Sequence, residues 1–354
     1  MPKRKAALKA VILVGGPGTR LRPLTFETPK SMVPVLNHPF MEYTLAYLKK
    51  AGVEDIILTL NYLPDAIRGV FGDGRKFGVR LTYCIEESPL GTAGAVKNAE
   101  KYLDGTFLVL NGDVFTDLDI ADMLASHRAK KAKATISLQW VDNPSAFGVV
   151  ETDGDKRVGK FIEKPPPGQE TTNWINAGTY ALEPEVLKYI PAGHYMFENG
   201  LFPLLLERDE PVYGYPFRGY WLDMGTPAKY LSLNSDLLLA RTESPLIGRL
   251  GKGALSYGKD TTIHPSARIT APVAIGDNCQ IGSGVRITGP AVIGPGSTLE
   301  DGASIENAVL WDNVRIGAQA ALQRCIIGGN TSIEPGRQVT DGIITSTQTA
   351  PLPR

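Results

Sequence analysis

The residues best suited to chemistry gather near the amino terminus, where Gly15-Gly16-Pro17-Gly18-Thr19-Arg20 is followed by Thr28-Pro29-Lys30. A glycine-rich turn after an apolar run lets backbone N–H groups reach a phosphate without side-chain obstruction. The turn has no Gly-Lys-Ser/Thr ending, and Leu21 stands where a dinucleotide fingerprint would place its third glycine, so neither of those phosphate-binding classes fits. Arg20 and Lys30 add fixed positive charge, and Pro23 and Pro29 stiffen the chain that carries them. Two cations beside a phosphate loop suit nucleotidyl transfer. In that reaction the attack on the α-phosphorus is in line, pyrophosphate leaves, and charge builds on non-bridging and leaving oxygens.

Such groups need a rigid frame, and residues 10–240 supply the pattern of one. AVILV (10–14), DIILTL (55–60), TFLVLN (106–111) and ATISLQW (134–140) have the length and branching of buried strands. Between them run amphipathic stretches such as FMEYTLAYLKKAG (40–52), whose closing lysines and glycine are a helix stop. This alternation predicts an α/β domain with a Rossmann-like, mainly parallel sheet. Ligands in such sheets bind beyond the carboxyl ends of the strands, which puts the loops after AVILV and FLVLN on one rim.

From about residue 261 the pattern changes. Ile263, Ile269, Ile275, Ile281, Ile287, Ile293, Leu299 and Ile305 recur every six residues, separated by Gly, Asp, Asn, Ser and Pro. The period is not helical; it resembles the hexapeptide repeat of a left-handed parallel β-helix, in which each coil buries its apolar residues against its neighbours. The expected organisation is a basic tail (1–9), a catalytic domain (10–240), a linker (241–258), the β-helix (259–345) and a short tail (346–354). The phase slips near Trp311. A prism with open ends and flat sides favours pairing, so a homo-oligomer through the β-helix is expected.

Bulk properties narrow the function. Two domains suit 354 residues. With 37 basic and 37 acidic residues, the chain lacks the positive excess of a nucleic-acid binder. No apolar run approaches the ~20 residues that span a membrane, and the basic start leads straight into the glycine loop without a cleavage site. Cys84, Cys279 and Cys325 lie far apart with no metal or disulfide spacing, which fits a reducing cytoplasm.

The run GGPGTRLRPLTFETPKSMVPV (15–35) resembles the signature of the sugar-1-phosphate nucleotidyltransferase family, and further motifs follow in order. Glu86-Glu87-Ser88-Pro89-Leu90-Gly91-Thr92-Ala93-Gly94 resembles the second nucleotide-binding segment, and Asn111-Gly112-Asp113 the segment with a metal-bearing aspartate. Phe161-Ile162-Glu163-Lys164-Pro165 and Ile175-Asn176-Ala177-Gly178 resemble its sugar-phosphate elements. Tyr220-Trp221-Leu222-Asp223 resembles the source of a second metal-binding aspartate. The resemblance spans residues 10–235 and implies catalysis by Arg20, Lys30 and Asp113. It implies nucleotide binding by Leu13, Gly15, Gly16, Gly18, Thr19, Arg20, Glu86, Gly91, Thr92 and Gly112, and sugar-phosphate binding by Glu163, Lys164, Asn176 and Gly178. Asp113 and Asp223 would hold Mg²⁺, which takes one or two carboxylates plus substrate oxygens. The substrates implied are a nucleoside triphosphate and a sugar 1-phosphate.

PLGTAG and FGVVETDG lean toward members that use GTP and mannose 1-phosphate. The alternatives are a UTP- or dTTP-dependent glucose-1-phosphate enzyme and a non-catalytic regulatory subunit. If Glu86 reads the base, its carboxylate accepts both donors of guanine's Watson–Crick edge, whereas uracil and thymine suit an amide. One departure stands out: Asn199 occupies a position where these guanylyltransferases often carry lysine.

Overall fold

Short branched runs build the first sheet in the computed structural model, which describes residues 7–248 and 253–352. Most of the basic tail read over 1–9 lies outside the described residues. The strands are β1 (Lys9–Leu13), β2 (Asp55–Leu60), β3 (Arg80–Ile85), β4 (Phe107–Asn111), β5 (Ala134–Trp140), β6 (Gly148–Thr152), β7 (Val158–Glu163), β8 (Trp174–Leu182) and β9 (Val212–Pro216). Their order is β7-β6-β8-β4-β1-β2-β3, with β5 pairing both β8 and β9. β3, β2, β1 and β4 run parallel, so their carboxyl ends share one rim. β8 enters antiparallel to β4 and makes the sheet mixed on that side. The helix expected over 40–52 spans Phe40–Lys50.

By contacts the chain divides into two compact units. The first joins residues up to Gly16 with Thr44–Trp221, and the second joins Pro17–Tyr43 with the chain from Leu222 onward. The core of the first unit is aromatic beneath β8, where Tyr180, Phe197 and Phe202 are fully buried. Phe197 stacks on Phe202 with ring centres 5.4 Å apart. Each such side chain contributes roughly 1.5–3 kcal/mol by leaving water.

In the second unit the six-residue period becomes a parallel β-helix of three sheets, with seven, five and five strands. Tyr257, Ile275 and Ile293 stack in one column, Ile263, Ile281 and Leu299 in another, Ile269, Ile287 and Ile305 in the third. The phase slip has a local cause. At one corner Gly289 and Pro290 link Thr288 to Ala291, but in the next coil Asn307 alone, at φ 45°, links Glu306 to Ala308. The coil loses one residue, and Leu310 takes the inward place below Ile293.

Two edges run past the boundaries read from the repeat. Leu255–Tyr257, within the expected linker, pairs with Val273–Ile275. Thr349–Pro351, within the expected tail, folds back antiparallel on Gly342–Ile344 and brings Leu352 to 3% exposure. Pairing of backbone groups, which a hydrophobic repeat does not report, extends the sheet at both ends.

The helix Pro227–Leu238 fastens the signature segment to the β-helix. Tyr230 donates its hydroxyl to Pro34 O and accepts the Trp311 indole N–H at 3.0 Å. Asn234 Oδ1 accepts the Leu36 N–H at 2.9 Å, and Asn37 Nδ2 donates to Ile293 O at 3.1 Å. Among the described residues no helix is long and apolar enough to cross a membrane.

Candidate functional site

In the first unit, four parallel strands deliver polar residues to one rim. Leu13 stands in register with Thr59 on β2 and Asn111 on β4, so Gly15 and Gly16 emerge beside Gly112 and Asp113. Gly112 donates its N–H to Leu13 O at 3.0 Å, which locks the two loops together. Glu86 follows β3, and its backbone N–H donates to Leu60 O at 2.7 Å.

Glu86 is only 7% exposed, and burial pushes its carboxyl above the usual carboxylate range. Its Oε2 accepts the Leu90 N–H at 3.0 Å. Oε1 lies toward Gly15, where a Cβ would stand 3.4 Å away. One oxygen is thus committed to the loop that leads into helix Gly91–Asn98, and the other faces the glycine turn.

Thr92 in that helix accepts the Phe197 N–H and donates to Glu198 Oε2, both at 2.9 Å. Burial raises the Glu198 carboxyl, with the neighbouring Glu163 charge adding to the effect. Glu163 ends β7, with Lys164 Nζ 3.1 Å from its Oε1; the lysine side chain is 67% exposed and the glutamate 18%. Asn199 is exposed.

Asn176 shapes a bulge in β8: its Nδ2 donates to the Tyr180 hydroxyl at 2.9 Å and its Oδ1 accepts the Gly178 N–H at 3.0 Å. Those bonds use one N–H and one lone pair of the amide. Gly178 holds φ +76°, and a Cβ there would strike Asn111 Nδ2 at 2.6 Å, so only glycine fits. Asn111 Oδ1 is buried and finds no donor among the described residues.

In the second unit, Gly18 precedes the turn Thr19–Leu21, and its carbonyl accepts the Thr25 hydroxyl at 2.7 Å. Lys30 opens the turn Lys30–Met32 directly after Pro29. Both cations converge on Asp223: Arg20 Nη2 lies 3.7 Å from Oδ2 and Lys30 Nζ 3.8 Å from Oδ1. Lys229 joins them, with Nζ 3.6 Å from Oδ2. Asp223 Oδ1 is buried and has no hydrogen-bond donor among the described residues.

The first unit therefore brings together Leu13, Gly15, Gly16, Glu86, Gly91, Thr92, Gly112, Asp113, Glu163, Lys164, Asn176 and Gly178, and the second holds Gly18, Thr19, Arg20, Lys30 and Asp223. Asn111, Glu198 and Lys229 also meet these residues, at Gly178, Thr92 and Asp223, and the sequence did not single them out. Asn111 carried a signal, because a polar residue closing a buried strand needs a partner. Lys229 carried none, since a lone lysine after a proline reads as a solvated helix residue.

A nucleotidyl transferase family profile matches residues 9–239, more than half of the chain. The chain belongs to the nucleotidyl transferase family. A second profile, described as the LbH domain of EIF2B subunit epsilon, matches residues 253–350 and agrees with a left-handed β-helix. The chain is 39% identical over 321 residues to a mannose-1-phosphate guanylyltransferase of Mycobacterium tuberculosis, covering 89% of this chain and 83% of that protein. It is 37% identical to a mannose-1-phosphate guanyltransferase of Debaryomyces hansenii (95% and 90% covered). A UTP–glucose-1-phosphate uridylyltransferase of Synechocystis is 33% identical (92% and 89% covered). Among solved structures, HddC from Yersinia pseudotuberculosis aligns with a TM-score of 0.57 at 32% identity, over 64% of this chain and 98% of that one.

Proposed function

We propose that this nucleotidyl transferase catalyses GTP + mannose 1-phosphate → GDP-mannose + pyrophosphate. The observation that carries the base is Glu86, a buried carboxylate with one oxygen turned to the glycine loop. The guanylyltransferase relatives from a bacterium and a yeast support the same base and sugar.

The substrate's own phosphate oxygen is the nucleophile, so no protein nucleophile or general base is needed. Arg20 and Lys30 stabilise charge on the transferring phosphates, and the backbone of Gly15, Gly16 and Gly18 cradles them. Lys164 holds the sugar phosphate as a point charge, while Glu163 and Asn176 meet sugar hydroxyls. Asp113 and Asp223 are the proposed oxygen donors for Mg²⁺. The donor chemistry fits, because Asp223 Oδ1 is a hard oxygen with no hydrogen-bond donor among the described residues. When bound, such an ion supplies charge neutralisation at phosphate oxygens.

The Synechocystis relative favours a second reading, uridylyl transfer to glucose 1-phosphate. A matrix of GTP, UTP, dTTP and ATP against mannose and glucose 1-phosphates, read by pyrophosphate release, separates the two. The expected maximum is GTP with mannose 1-phosphate. Equal or faster use of UTP or dTTP overturns the base assignment, and no release in any cell of the matrix identifies a regulatory subunit. We further propose that the β-helix mediates self-association in the cytoplasm, and sedimentation as a stable monomer would refute the assembly.

A further inference from the structure

Trp311 breaks the repeat that surrounds it. The strands of the seven-stranded sheet pair in register from Tyr257 to Ile344, so the residues that follow these positions share one corner of the β-helix. That corner reads Gly258, Gly276, Gly294, Trp311, Gly328 and Thr345. Close approach of successive coils favours glycine there. A Cβ on Gly276 would stand 2.6 Å from Pro295 N, and one on Gly294 would stand 2.2 Å from Trp311 O. Stacking of the coils thus explains the glycines and does not explain the tryptophan. The Trp311 ring is 7% exposed, and its N–H points out of the β-helix, donating to the Tyr230 hydroxyl at 3.0 Å.

From Tyr230 the contact passes into the signature segment. Tyr230 is fully buried and donates its hydroxyl to Pro34 O. Burial pushes that hydroxyl well above the usual tyrosine range, so it keeps the proton it donates. Pro34 closely follows the turn Lys30–Met32, joined to it by Val33, which is fully buried and accepts the Phe40 N–H at 3.1 Å. A second bond runs from Asn37 Nδ2 to Ile293 O of the β-helix, at 3.1 Å. Between the two contacts the chain is strained: Leu36 and Asn37 hold φ 44° and 67°. A left-handed leucine persists only where its surroundings over-determine it, and such strain gathers at sites where position matters. Here the Leu36 N–H is held by Asn234 Oδ1 at 2.9 Å, and the Asn37 side chain by the β-helix.

We propose that Trp311 and Asn37 are positioning residues for Lys30, through which the β-helix sets the geometry of nucleotidyl transfer. This rests on the role given to Lys30 in that reaction. Lys30 must present its charge where negative charge develops, and a displacement of about 1 Å caused far from the chemistry can cost on the order of a hundredfold in rate. Two bonds tie the chain just after Lys30 to the β-helix, one through Tyr230 and one direct. Loosening them moves the cation and leaves the groups that bind the sugar phosphate in place.

The test uses the full-length protein with Trp311→Phe and Asn37→Gly, singly and together. Phenylalanine keeps most of the ring and removes the N–H, while glycine suits the left-handed backbone and removes the side-chain donor. Leu322→Ala, in the β-helix core, is the control for lost stability alone. The readouts are steady-state kinetics well below every unfolding midpoint, the midpoint itself, and hydrogen exchange of the Met32, Val33 and Leu36 amides. For the double variant kcat should fall on the order of tenfold, with the KM for mannose 1-phosphate within about threefold. The three amides should exchange about tenfold faster or more, as expected of local opening. Leu322→Ala should lower the midpoint and change neither kcat nor those amides. An unchanged kcat in the double variant overturns the proposal, as does an equal loss in Leu322→Ala. Should the double variant fail to fold, each single variant carries the same test. No pyrophosphate release from the unmutated protein would count against the reaction itself; the exchange rates would still decide whether the β-helix holds the segment, and unaltered exchange would overturn it.

Discussion

Replacing Lys30 with alanine is expected to slow turnover by about a hundredfold or more, the scale on which one transition-state electrostatic contact is lost. The structure makes Lys30 a fixed charge. Its turn begins directly after Pro29, its stem packs against Gly18, and its side chain is 13% exposed. A charge held before the reaction starts costs no reorganisation when negative charge develops beside it. Asp223 keeps Arg20 and Lys229 as partners after the change, so its own charge stays compensated. Steady-state kinetics would show kcat and kcat/KM falling together, the mark of an interaction made only in the transition state. A rise in KM alone would assign Lys30 to ground-state binding, and an unchanged rate would remove it from the mechanism. Asp113→Ala should fall on the same scale for a different reason, the loss of a proposed oxygen donor for the Mg²⁺ that would neutralise phosphate charge.

Much of this was legible in the sequence because single residues dominate the local physics. Short runs rich in branched and aliphatic residues suit a buried strand, and the stretches read over 55–60 and 134–140 form strands over those residues. The six-residue period fixed the β-helix because each inward residue stacks on the equivalent residue of the next coil. The missing residue at Asn307 was visible only as a slip, since left-handed backbone at one corner leaves no trace in hydrophobicity. The grouping of Pro17–Tyr43 with the later chain was not legible at all. It depends on long-range hydrogen bonds through Tyr230 and Asn234, residues that read as ordinary members of an amphipathic helix. Thr92 teaches the same lesson in the site. The family resemblance implied a nucleotide contact there, and nothing in the sequence announced that its hydroxyl would also meet Glu198 and Phe197, both distant in sequence.

Glu86→Gln is expected to lower the preference for GTP over UTP by about two orders of magnitude, and the reason lies in a neighbouring backbone group. The Leu90 N–H requires an acceptor and now takes Glu86 Oε2. A glutamine must give its only oxygen to that N–H, so its NH₂ is forced onto the Gly15 side, where Oε1 stood. Guanine presents N1–H and N2–H₂ to this position, and an NH₂ facing them replaces attraction with repulsion. Hydrogen bonds to a charged group contribute roughly 1.5–3 kcal/mol, or about ten- to more than a hundredfold in specificity. Uracil offers acceptors flanking its one donor, so the same NH₂ finds a partner there. The fold should be unharmed or slightly more stable, because burial already disfavours the charge, holding this carboxyl above the usual range. The raised carboxyl adds a pH signature with a definite sign: protonation removes the acceptor, so the KM for GTP should climb as pH falls toward that value. Glu86→Gln has no proton to gain and should lack the climb. A GTP-to-UTP ratio that survives the substitution would show that the base is read elsewhere.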